Sequence, residues 1–210
     1  MDLLKYKADE LATYIIRRLQ DELPGFRAHE KMAPEGRVLF HSGRDQARES
    51  AVLIHLYKHN EQWHTCFIQR PQYDGVHSGQ IAFPGGGRER TDRTIMETAL
   101  REAHEEVNIA TNQIKVLGNL SPIYIPPSNY LVTPIVSISS QRPDFKPQIA
   151  EVDKIEEIPL SAIMDTGKIQ SRIFYPGTAY EIKAPCYRVN DIIIWGATAM
   201  ILYEFISILR

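Results

Sequence analysis

Hydrophobic and polar positions recur along this chain with periods that predict a mixture of helices and strands. Between residues 2 and 23, leucines and isoleucines recur at near-helical spacing, and Pro24 and Gly25 end the pattern, which predicts an amphipathic helix. Residues 195–210 show the same period and predict a closing helix. Residues 24–49 are polar and interrupted by glycine and proline, so we expect a connecting arm there.

The apolar runs between these ends are short and β-capable, as is typical of strands. Residues 59–61 separate the first two runs and predict a hairpin. Strands are predicted at 51–57, 63–69, 80–83, 114–120, 130–139, 151–158, 173–175, 180–187 and 191–194. Helices are predicted at 93–108 and 160–165, and an exposed loop at 123–129. Because strict β-α-β alternation is missing, the pattern favours an α/β fold with a mixed sheet between helices over a doubly wound parallel sheet.

Composition and charge narrow the classes of function. The chain has 210 residues, of which 43% are hydrophobic and 24% charged, which is ordinary for a globular protein. A net charge of −2 gives no electrostatic reason to expect a nucleic-acid partner. Cys66 and Cys186 cannot form a disulfide scaffold and lie in apolar strand patterns, so we expect them to be inert. No segment resembles a signal peptide or a membrane span, so we expect a cytoplasmic protein with no membrane partner.

Three carboxylates lie close together on the helix predicted at 93–108. Glu102 and Glu106 are four residues apart on one face, and Glu105 is three residues from Glu102. We expect a different, buried face to consist of Met96, Leu100, Ala103 and Val107. Clustered carboxylates repel one another unless a cation lies between them, and hard divalent cations prefer oxygen ligands. The alternative is an ordinary solvated helix face, since glutamate pairs are common on helices.

The residues around this helix favour the metal-binding interpretation. Arg101 can offset part of the repulsion, and Glu97, one turn earlier, can hold Arg101 in place. Three glycines, Gly85 to Gly87, precede the helix and predict a turn. Glycine permits positive φ and lets a ligand approach the backbone closely, so we expect backbone amides beside the carboxylates.

The spacing of these residues resembles the signature of the Nudix hydrolase family. In that signature, glycine is followed after five residues by glutamate, and after seven more by Arg-Glu, an aliphatic residue, any residue, Glu-Glu, any residue and glycine. Here Gly86 is followed after five residues by Asp92, and after eight more by residues 101–108. The chain departs from the signature in the aspartate, in the longer spacer and in Asn108, which stands where glycine is usual.

These departures look like the coenzyme A diphosphatase subfamily of that family. An upstream motif of the subfamily has an arginine in a strand, then a histidine, a glycine and Phe-Pro-Gly-Gly. Here Arg70 precedes residues 77–86, which read His-Ser-Gly-Gln-Ile-Ala-Phe-Pro-Gly-Gly, although Pro71 stands where serine is commoner. Residues 195–199 also resemble the subfamily, so the resemblance covers most of residues 50–205.

The resemblance implies a Nudix-type α/β/α sandwich with a mixed β-sheet at 50–210, preceded by an N-terminal helix and connecting arm at 1–49. It implies hydrolysis of a pyrophosphate bond with Mg²⁺ or Mn²⁺ as cofactor. Glu102, Glu105 and Glu106 correspond to metal ligands, Glu105 also to a residue that holds the water. Arg101 corresponds to the arginine that orients the glutamates by ion pairing. With coenzyme A as substrate, the products would be 4'-phosphopantetheine and adenosine 3',5'-bisphosphate.

Several residues outside the helix are candidates for substrate binding. Arg70 can grip a phosphate through two parallel hydrogen bonds, although a surface arginine is the alternative. His77 can hydrogen-bond a phosphate or brace the glycine segment. Gly85 and Gly86 can offer backbone amides to the substrate.

Other candidates lie further along the chain. Glu151 is a candidate general base, although an ordinary glutamate at a strand edge is the alternative. Ser128 and Asn129 are candidates for lining the substrate pocket, although a plain loop is the alternative. For Trp195 we favour packing in the core over stacking on adenine.

Three hypotheses about function remain open at this point. The first is a diphosphatase for a coenzyme A-like small-molecule nucleotide, and the second is a Nudix hydrolase for ADP-ribose or a dinucleotide. The third is a non-catalytic, ligand-sensing Nudix module. The presence of Glu102, Glu105 and Glu106 together argues against the third, because a sensor need not keep all three. A homodimer is left open.

Overall fold

The computed structural model describes residues 5–37, 45–72, 78–165, 167, 169–179 and 181–210. The helices in these ranges are α1 Ala8–Gln20, α2 Phe26–Glu30, α3 Ile95–Val107, α4 Leu160–Ile163 and α5 Gly196–Leu209. The first six strands are β1 Arg48–His59, β2 Gln62–Gln69, β3 Ile81–Ala82, β4 Gly85–Gly87, β5 Lys115–Asn119 and β6 Ile123–Ile125. The next five are β7 Tyr130–Ile138, β8 Lys154–Pro159, β9 Ile169–Phe174, β10 Ile182–Val189 and β11 Ile192–Trp195.

The central sheet is mixed, as the sequence predicts. Its strands run in the order β3-β2-β1-β7-β5, with β4 on β1, β6 on β7 and β8 on β2. Strands β1 and β7 are parallel, whereas the other pairs are antiparallel. A second sheet, β11-β10-β9, is antiparallel. The β1–β2 hairpin closes through Asn60 and Glu61, whose φ values of 49° and 58° suit a two-residue turn between twisted strands.

Helices cover both faces of the central sheet, which makes the fold the predicted α/β/α sandwich. Successive side chains of a strand point to opposite faces, so Leu53 and Ile54 belong to different cores. Ile54 packs in a cluster with Leu11 of α1 and Phe205 of α5. Leu53 packs with Ala103 of α3 on the other face. The sheet therefore separates α3 from the two terminal helices.

The N-terminal segment is joined to the domain by a buried carboxylate on the last helix. The Glu204 side chain is fully buried, and its Oε1 accepts hydrogen bonds from the amides of Gly25 at 3.0 Å and Ser121 at 3.3 Å. Its Oε2 lies 2.9 Å from Nε2 of His29. Buried carboxylates are costly unless they are hydrogen-bonded in this way. The division into 1–49 and 50–210 stays a prediction.

Several local predictions are corrected by the structure. The arm at 24–49 contains α2 and the start of β1, and the loop at 123–129 contains β6. Strand β8 begins only at Lys154, so Glu151 lies in the turn before it. Met96, placed on the buried face of α3, is 39% exposed. Trp195, expected in the core, is half-buried and stacks on Phe174 with ring centroids 4.0 Å apart.

The two cysteines are both buried and unpaired, as their apolar strand patterns indicate. Burial raises the pKa of the Cys66 thiol to about 12, which keeps it protonated at neutral pH. Among the described residues, none of the helices is both long and apolar enough to cross a bilayer.

Candidate functional site

The glycine segment expected to turn is in fact a strand. Gly85–Gly87 pairs antiparallel with Ser50, Ala51 and Val52 at the start of β1. Gly85 has φ 155°, and a Cβ there would lie 2.2 Å from the carbonyl oxygen of Ala51. Its tight approach to β1 therefore requires glycine.

Gly86 faces the carboxylate helix rather than the next strand. A Cβ at Gly86 would lie 2.6 Å from both carboxylate oxygens of Glu102. The missing side chain thus lets α3 bring a carboxylate directly against the backbone of β4. Whether Gly85 and Gly86 also contact substrate, as predicted from the sequence, stays a prediction.

Capping residues fix both ends of α3. The Thr94 hydroxyl accepts a hydrogen bond from the amide of Glu97, and the Glu97 carboxylate accepts one from the amide of Arg93 at 2.7 Å. Asn108 ends the helix in the left-handed conformation, with φ 60°, which explains why it can stand where glycine is usual. Glu97 therefore caps the helix, and the prediction that it holds Arg101 in place is wrong.

Arg101 is held by Asp92 instead. Its Nε donates to Asp92 Oδ1 at 3.1 Å and its Nη2 to Asp92 Oδ2 at 3.0 Å, while Nη2 also donates to the carbonyl of Gly87 at 3.0 Å. Nη1 lies 2.9 Å from Glu102 Oε1 and 2.9 Å from Glu105 Oε2. These hydrogen bonds to Arg101 hold the pKa of Asp92 at about 2. The guanidinium thus ties two of the three glutamates to the loop before the helix.

The three glutamates differ strongly in exposure. The Glu105 side chain is 54% exposed and the Glu102 side chain 14%, whereas Glu106 is 3% exposed as a residue. The expectation of a carboxylate cluster apart from the buried face is therefore wrong for Glu106. That residue shares the buried side of α3 with Ala103 and Val107.

Burial perturbs the ionisation of two of these carboxylates. Desolvation raises the pKa of Glu106 to about 7, and the charges of Glu102 and Glu151 act in the same direction. The amide of Gly85, which donates to Glu106 Oε2 at 2.7 Å, and the charge of Arg70 both oppose this rise. Desolvation likewise raises the pKa of Glu102, with help from Glu105 and Glu151. The site therefore concentrates negative charge that is poorly solvated.

Arg70 and Glu151 converge on this cluster from outside α3. Arg70 directly follows β2 and acts electrostatically on Glu106. The charge of Glu151 raises the pKa of both Glu102 and Glu106, although Glu151 lies almost fifty residues further along the chain. The charges of Arg70 and Glu151 therefore act on the glutamates that the sequence predicts as metal ligands.

The remaining candidates are placed differently. Ser128 and Asn129 lie in the turn between β6 and β7, where the Asn129 side chain accepts a hydrogen bond from Tyr124 at 2.9 Å. Their connection to the site runs through Tyr130, whose hydroxyl would lie 3.2 Å from a Cβ on Gly87. A role for the pair in substrate binding stays a prediction. His77 lies outside the described residues.

The carboxylate oxygens of this site suit a hard divalent cation, although the side chains are not arranged as a complete coordination site. Within the ranges that the structure describes, no group of three or more His, Cys, Asp or Glu residues has the arrangement of a metal site. Arg101 pairs with both Glu102 and Glu105, and Glu106 accepts from Gly85. Carboxylate oxygens are nevertheless the ligands that Mg²⁺ prefers, and a cation would offset the burial and the mutual repulsion that raise the pKa values of Glu102 and Glu106.

A carboxylate helix packed against a glycine strand, with Arg101 between its glutamates and the preceding loop, suits the binding of a cation together with an anionic substrate. A family model described as NUDIX domain matches residues 47–176. The chain therefore belongs to the Nudix family. It is a pyrophosphohydrolase of nucleoside diphosphate derivatives, as the signature in its sequence predicts.

Two bacterial relatives at more than 30% identity agree with this assignment. The chain is similar to "Uncharacterized Nudix hydrolase NudL" of Pectobacterium atrosepticum, with 36% identity over 165 residues, 76% of this chain and 81% of that protein. It is 39% identical over 129 residues to the protein of the same name from Photorhabdus laumondii, which covers 61% of this chain and 67% of that protein. The crystal structure of a MutT protein from Methanosarcina mazei Go1 superposes with a TM-score of 0.48 and 15% identity, over 76% of this chain and 92% of that one.

Sequence reasoning missed the part that Asp92 plays in the site. It treated Asp92 as a departure from the signature, whereas the structure makes it the anchor of Arg101. A usable signal was present, because Thr94 is a helix N-cap residue and places Asp92 just ahead of the first turn.

Proposed function

We propose that this protein hydrolyses the pyrophosphate bond of coenzyme A or its thioesters, with Mg²⁺ or Mn²⁺ as cofactor. The products are 4'-phosphopantetheine and adenosine 3',5'-bisphosphate. The observation that carries the metal-dependent reaction is the position of Glu102 and Glu106 against the backbone of β4, within the electrostatic influence of Glu151 and Arg70. The choice of coenzyme A is supported by the resemblance of residues 70–86 to the subfamily motif.

Glu102, Glu105 and Glu106 would hold the cation in this proposal. When bound, the cation neutralises charge that develops on the phosphate oxygens and lowers the pKa of the attacking water. Arg101 acts as a positioning residue, because it ties Glu102 and Glu105 to Asp92 through one guanidinium. The buried hydrogen bond from Gly85 fixes one oxygen of Glu106.

Arg70 and Glu151 act on the substrate and the water. The guanidinium of Arg70 suits two parallel hydrogen bonds to a phosphate, and its positive charge, which acts against the rise in the pKa of Glu106, attracts an anionic substrate. Glu151 takes the proton of the attacking water as general base, and the bond between phosphorus and the bridging oxygen breaks. Because Glu151 is exposed, it exchanges the proton readily with solvent.

The proposal extends to the cellular setting of the protein. We place it in the cytoplasm with a small-molecule nucleotide as its partner, and we keep a homodimer as the assembly to be tested by analytical ultracentrifugation. The lack of a membrane-spanning helix among the described residues is compatible with this location.

The decisive experiment is product analysis with purified protein. Coenzyme A, acetyl-coenzyme A, ADP-ribose and a dinucleotide are each incubated with Mg²⁺ or Mn²⁺, and the products are resolved by chromatography. We expect 4'-phosphopantetheine and adenosine 3',5'-bisphosphate from coenzyme A, and no product with a chelator or with Glu106→Gln. If coenzyme A stays intact while ADP-ribose is cleaved, the proposal that coenzyme A is the substrate is refuted. Ligand binding without cleavage of any substrate would favour the sensing module instead.

A further inference from the structure

A second feature of the structure lies outside the carboxylate site. An open cavity of about 480 Å³ is lined by residues 78–81 together with residues of β8, β9 and β11. Its volume falls in the range of pockets that bind small organic molecules. The residues that matter for its chemistry are Gln69, Lys154, Arg172, Phe174, Tyr175 and Trp195.

Aromatic side chains form one wall of this cavity. The rings of Phe174 and Trp195 stack with centroids 4.0 Å apart and an angle of 13° between their planes. Tyr175 meets Trp195 edge-on at 5.9 Å. Trp195 is only half-buried and Tyr175 is 43% exposed, so both keep surface that a ligand can cover. A stacked aromatic pair at a cavity wall suits a planar, aromatic ligand.

The backbone at this wall is held in an uncommon conformation. Tyr175 has φ 53°, a value that costs free energy for an aromatic residue. Its hydroxyl accepts a hydrogen bond from Nε2 of Gln80 at 3.0 Å, which connects the end of β9 to the segment before β3. The strain therefore coincides with the contact that closes the cavity on one side.

Charged side chains line the cavity beside this wall, and the Arg172 guanidinium lies 5.9 Å from the centroid of the Phe174 ring. Lys154 and Arg172 are the two cations of the lining, and both are largely exposed at its rim. Two carboxylates accompany them: Glu156 pairs with Lys154 at 2.6 Å, and Asp191 lies on the adjoining turn. The cavity thus combines an aromatic wall with cations that can meet a phosphate group at its mouth.

The cavity adjoins the carboxylate site along the chain. Gln69, which lines the cavity, immediately precedes Arg70, which acts on Glu106. Glu151 acts on Glu102 and Glu106, and Lys154, three residues later, lines the cavity. Three residues span at most about 10 Å, which is comparable to the length of a nucleoside diphosphate. One substrate can therefore occupy both places.

We propose that this cavity binds the nucleoside end of the substrate, with the base against Phe174 and Trp195 and the phosphate on its ribose near Lys154 and Arg172. The proposal rests on the proposed function for the identity of that nucleoside, an adenosine carrying an additional phosphate. The pantetheine end fits the cavity less well, because it has no ring to stack and no charge for the cations.

The first test measures binding of the two product halves to the metal-free protein. Trp63 is fully buried, so ligand-induced fluorescence change reports on Trp195, the other tryptophan of the chain. We expect adenosine 3',5'-bisphosphate to change the fluorescence and 4'-phosphopantetheine to leave it unchanged. By calorimetry, Trp195→Ala should weaken the binding of adenosine 3',5'-bisphosphate about fivefold to a hundredfold, the range for loss of one stacked base. Trp195→Phe should weaken this binding much less, because it keeps an aromatic ring.

Matched variants keep this test independent of folding. Ile173→Ala removes an exposed side chain from the neighbouring position of β9 that does not line the cavity, and should leave binding unchanged. Unchanged affinity for adenosine 3',5'-bisphosphate in a folded Trp195→Ala variant would overturn the proposal. The same holds if Ile173→Ala and Trp195→Ala weaken binding equally.

The second test addresses the cations at the rim. Arg172→Gln should weaken the binding of adenosine 3',5'-bisphosphate about tenfold. The same change should weaken the binding of adenosine 5'-monophosphate little, because only the bisphosphate carries the second phosphate. Arg188→Gln, on the adjacent strand and outside the lining, is the control and should change neither affinity. Equal losses for both ligands would refute the phosphate contact.

Hydrolysis of coenzyme A separates this inference from the proposed function. One outcome is that Trp195→Ala weakens the binding of adenosine 3',5'-bisphosphate while neither the wild type nor any variant cleaves coenzyme A. That outcome would support nucleoside binding in the cavity and refute coenzyme A as the substrate. The opposite outcome is that the wild type cleaves coenzyme A and Trp195→Ala keeps its KM and its affinity for adenosine 3',5'-bisphosphate. That outcome would refute nucleoside binding in the cavity and leave the proposed function supported.

Discussion

The guanidinium of Arg101 binds the carboxylate of Asp92 through two parallel hydrogen bonds, of 3.1 and 3.0 Å. Asp92 Oδ2 also accepts from the amide of Glu89 at 2.9 Å and from the hydroxyl of Thr98 at 3.0 Å. One carboxylate thus joins the loop after β4, the first turns of α3 and the arginine that contacts Glu102 and Glu105. Asp92, which stands where the signature has glutamate, therefore has a structural role that is independent of any metal.

Replacing Asp92 by asparagine should damage both stability and activity. The change leaves the Arg101 charge without its main partner, and we expect the free energy of unfolding to fall by about 3 kcal/mol. We expect kcat/KM to fall about tenfold to a hundredfold, because Arg101 no longer fixes Glu102 and Glu105. Urea denaturation and steady-state kinetics check the two effects. Glu89→Gln, which removes an exposed carboxylate 3.9 Å from Arg101, should change neither by much.

The contribution of Asp92 should also depend on pH. Its folded-state pKa is lowered to about 2, so its stabilisation is complete above its ordinary value of 3.8 and is lost as the pH falls through 2. The difference in unfolding free energy between wild type and Asp92→Asn should therefore shrink below about pH 4. A difference that stayed constant from pH 7 to pH 2 would contradict this assignment.

Gly86→Ala should disable the site while leaving the fold largely intact. The new methyl group would lie 2.6 Å from the carboxylate of Glu102 and must displace it from β4. We expect about tenfold to hundredfold weaker activation by Mg²⁺, measured as the metal concentration that gives half-maximal rate. Gly87→Ala is the matched control, because its methyl group meets only the Tyr130 hydroxyl, at 3.2 Å. Equal effects of both substitutions would argue against a steric role for Gly86.

Glu106→Gln should stabilise the metal-free protein while abolishing hydrolysis. Burial raises the folded-state pKa of Glu106 from 4.5 to about 7, so the wild type loses stability as the pH rises between these values. The amide oxygen of glutamine can still accept from Gly85. In the presence of a chelator, the melting temperature of the variant should exceed that of the wild type at pH 8 and equal it near pH 4. A variant less stable at both pH values would refute the pKa assignment.

Glu204→Ala should lower stability without changing the chemistry. The substitution leaves the amides of Gly25 and Ser121 without their buried acceptor and His29 without its partner. We expect the free energy of unfolding to fall by about 3 kcal/mol and kcat to stay within about twofold at a temperature where the variant is folded. Ser207→Ala, on the same helix, removes only a hydrogen bond to the carbonyl of Tyr203 and serves as the control.

Local pattern predicted the elements with strong periods. The helix expected at 93–108 is α3, Ile95–Val107, because Thr94 and Asn108 supply its caps within the sequence itself. The hairpin around residues 59–61 is present for the same reason, since its turn depends only on neighbouring residues. The Nudix family and the mixed α/β/α sandwich were also predicted, and both are confirmed.

Predictions failed where distant partners decide the outcome. The glycines at 85–87 form a strand because Ser50, Ala51 and Val52 offer them an edge, which no local propensity shows. Residues 123–125 are a strand for the same reason, since β7 pairs with them. Met96 is exposed and Glu106 buried because the sheet meets α3 on a face rotated from the one that hydrophobicity alone indicates.

The sequence by itself determined the kinds of groups present at the site and their order. Three glutamates, an arginine and a glycine run resemble the Nudix signature at these spacings, and that resemblance predicts a pyrophosphohydrolase without reference to coordinates. Only the tertiary structure decided which glutamate is buried, which carboxylate anchors Arg101, and that the charges of Arg70 and Glu151 act on Glu106. Those relationships depend on contacts between residues far apart in the chain. Desolvation and charge proximity arise only once the sheet and α3 have packed together.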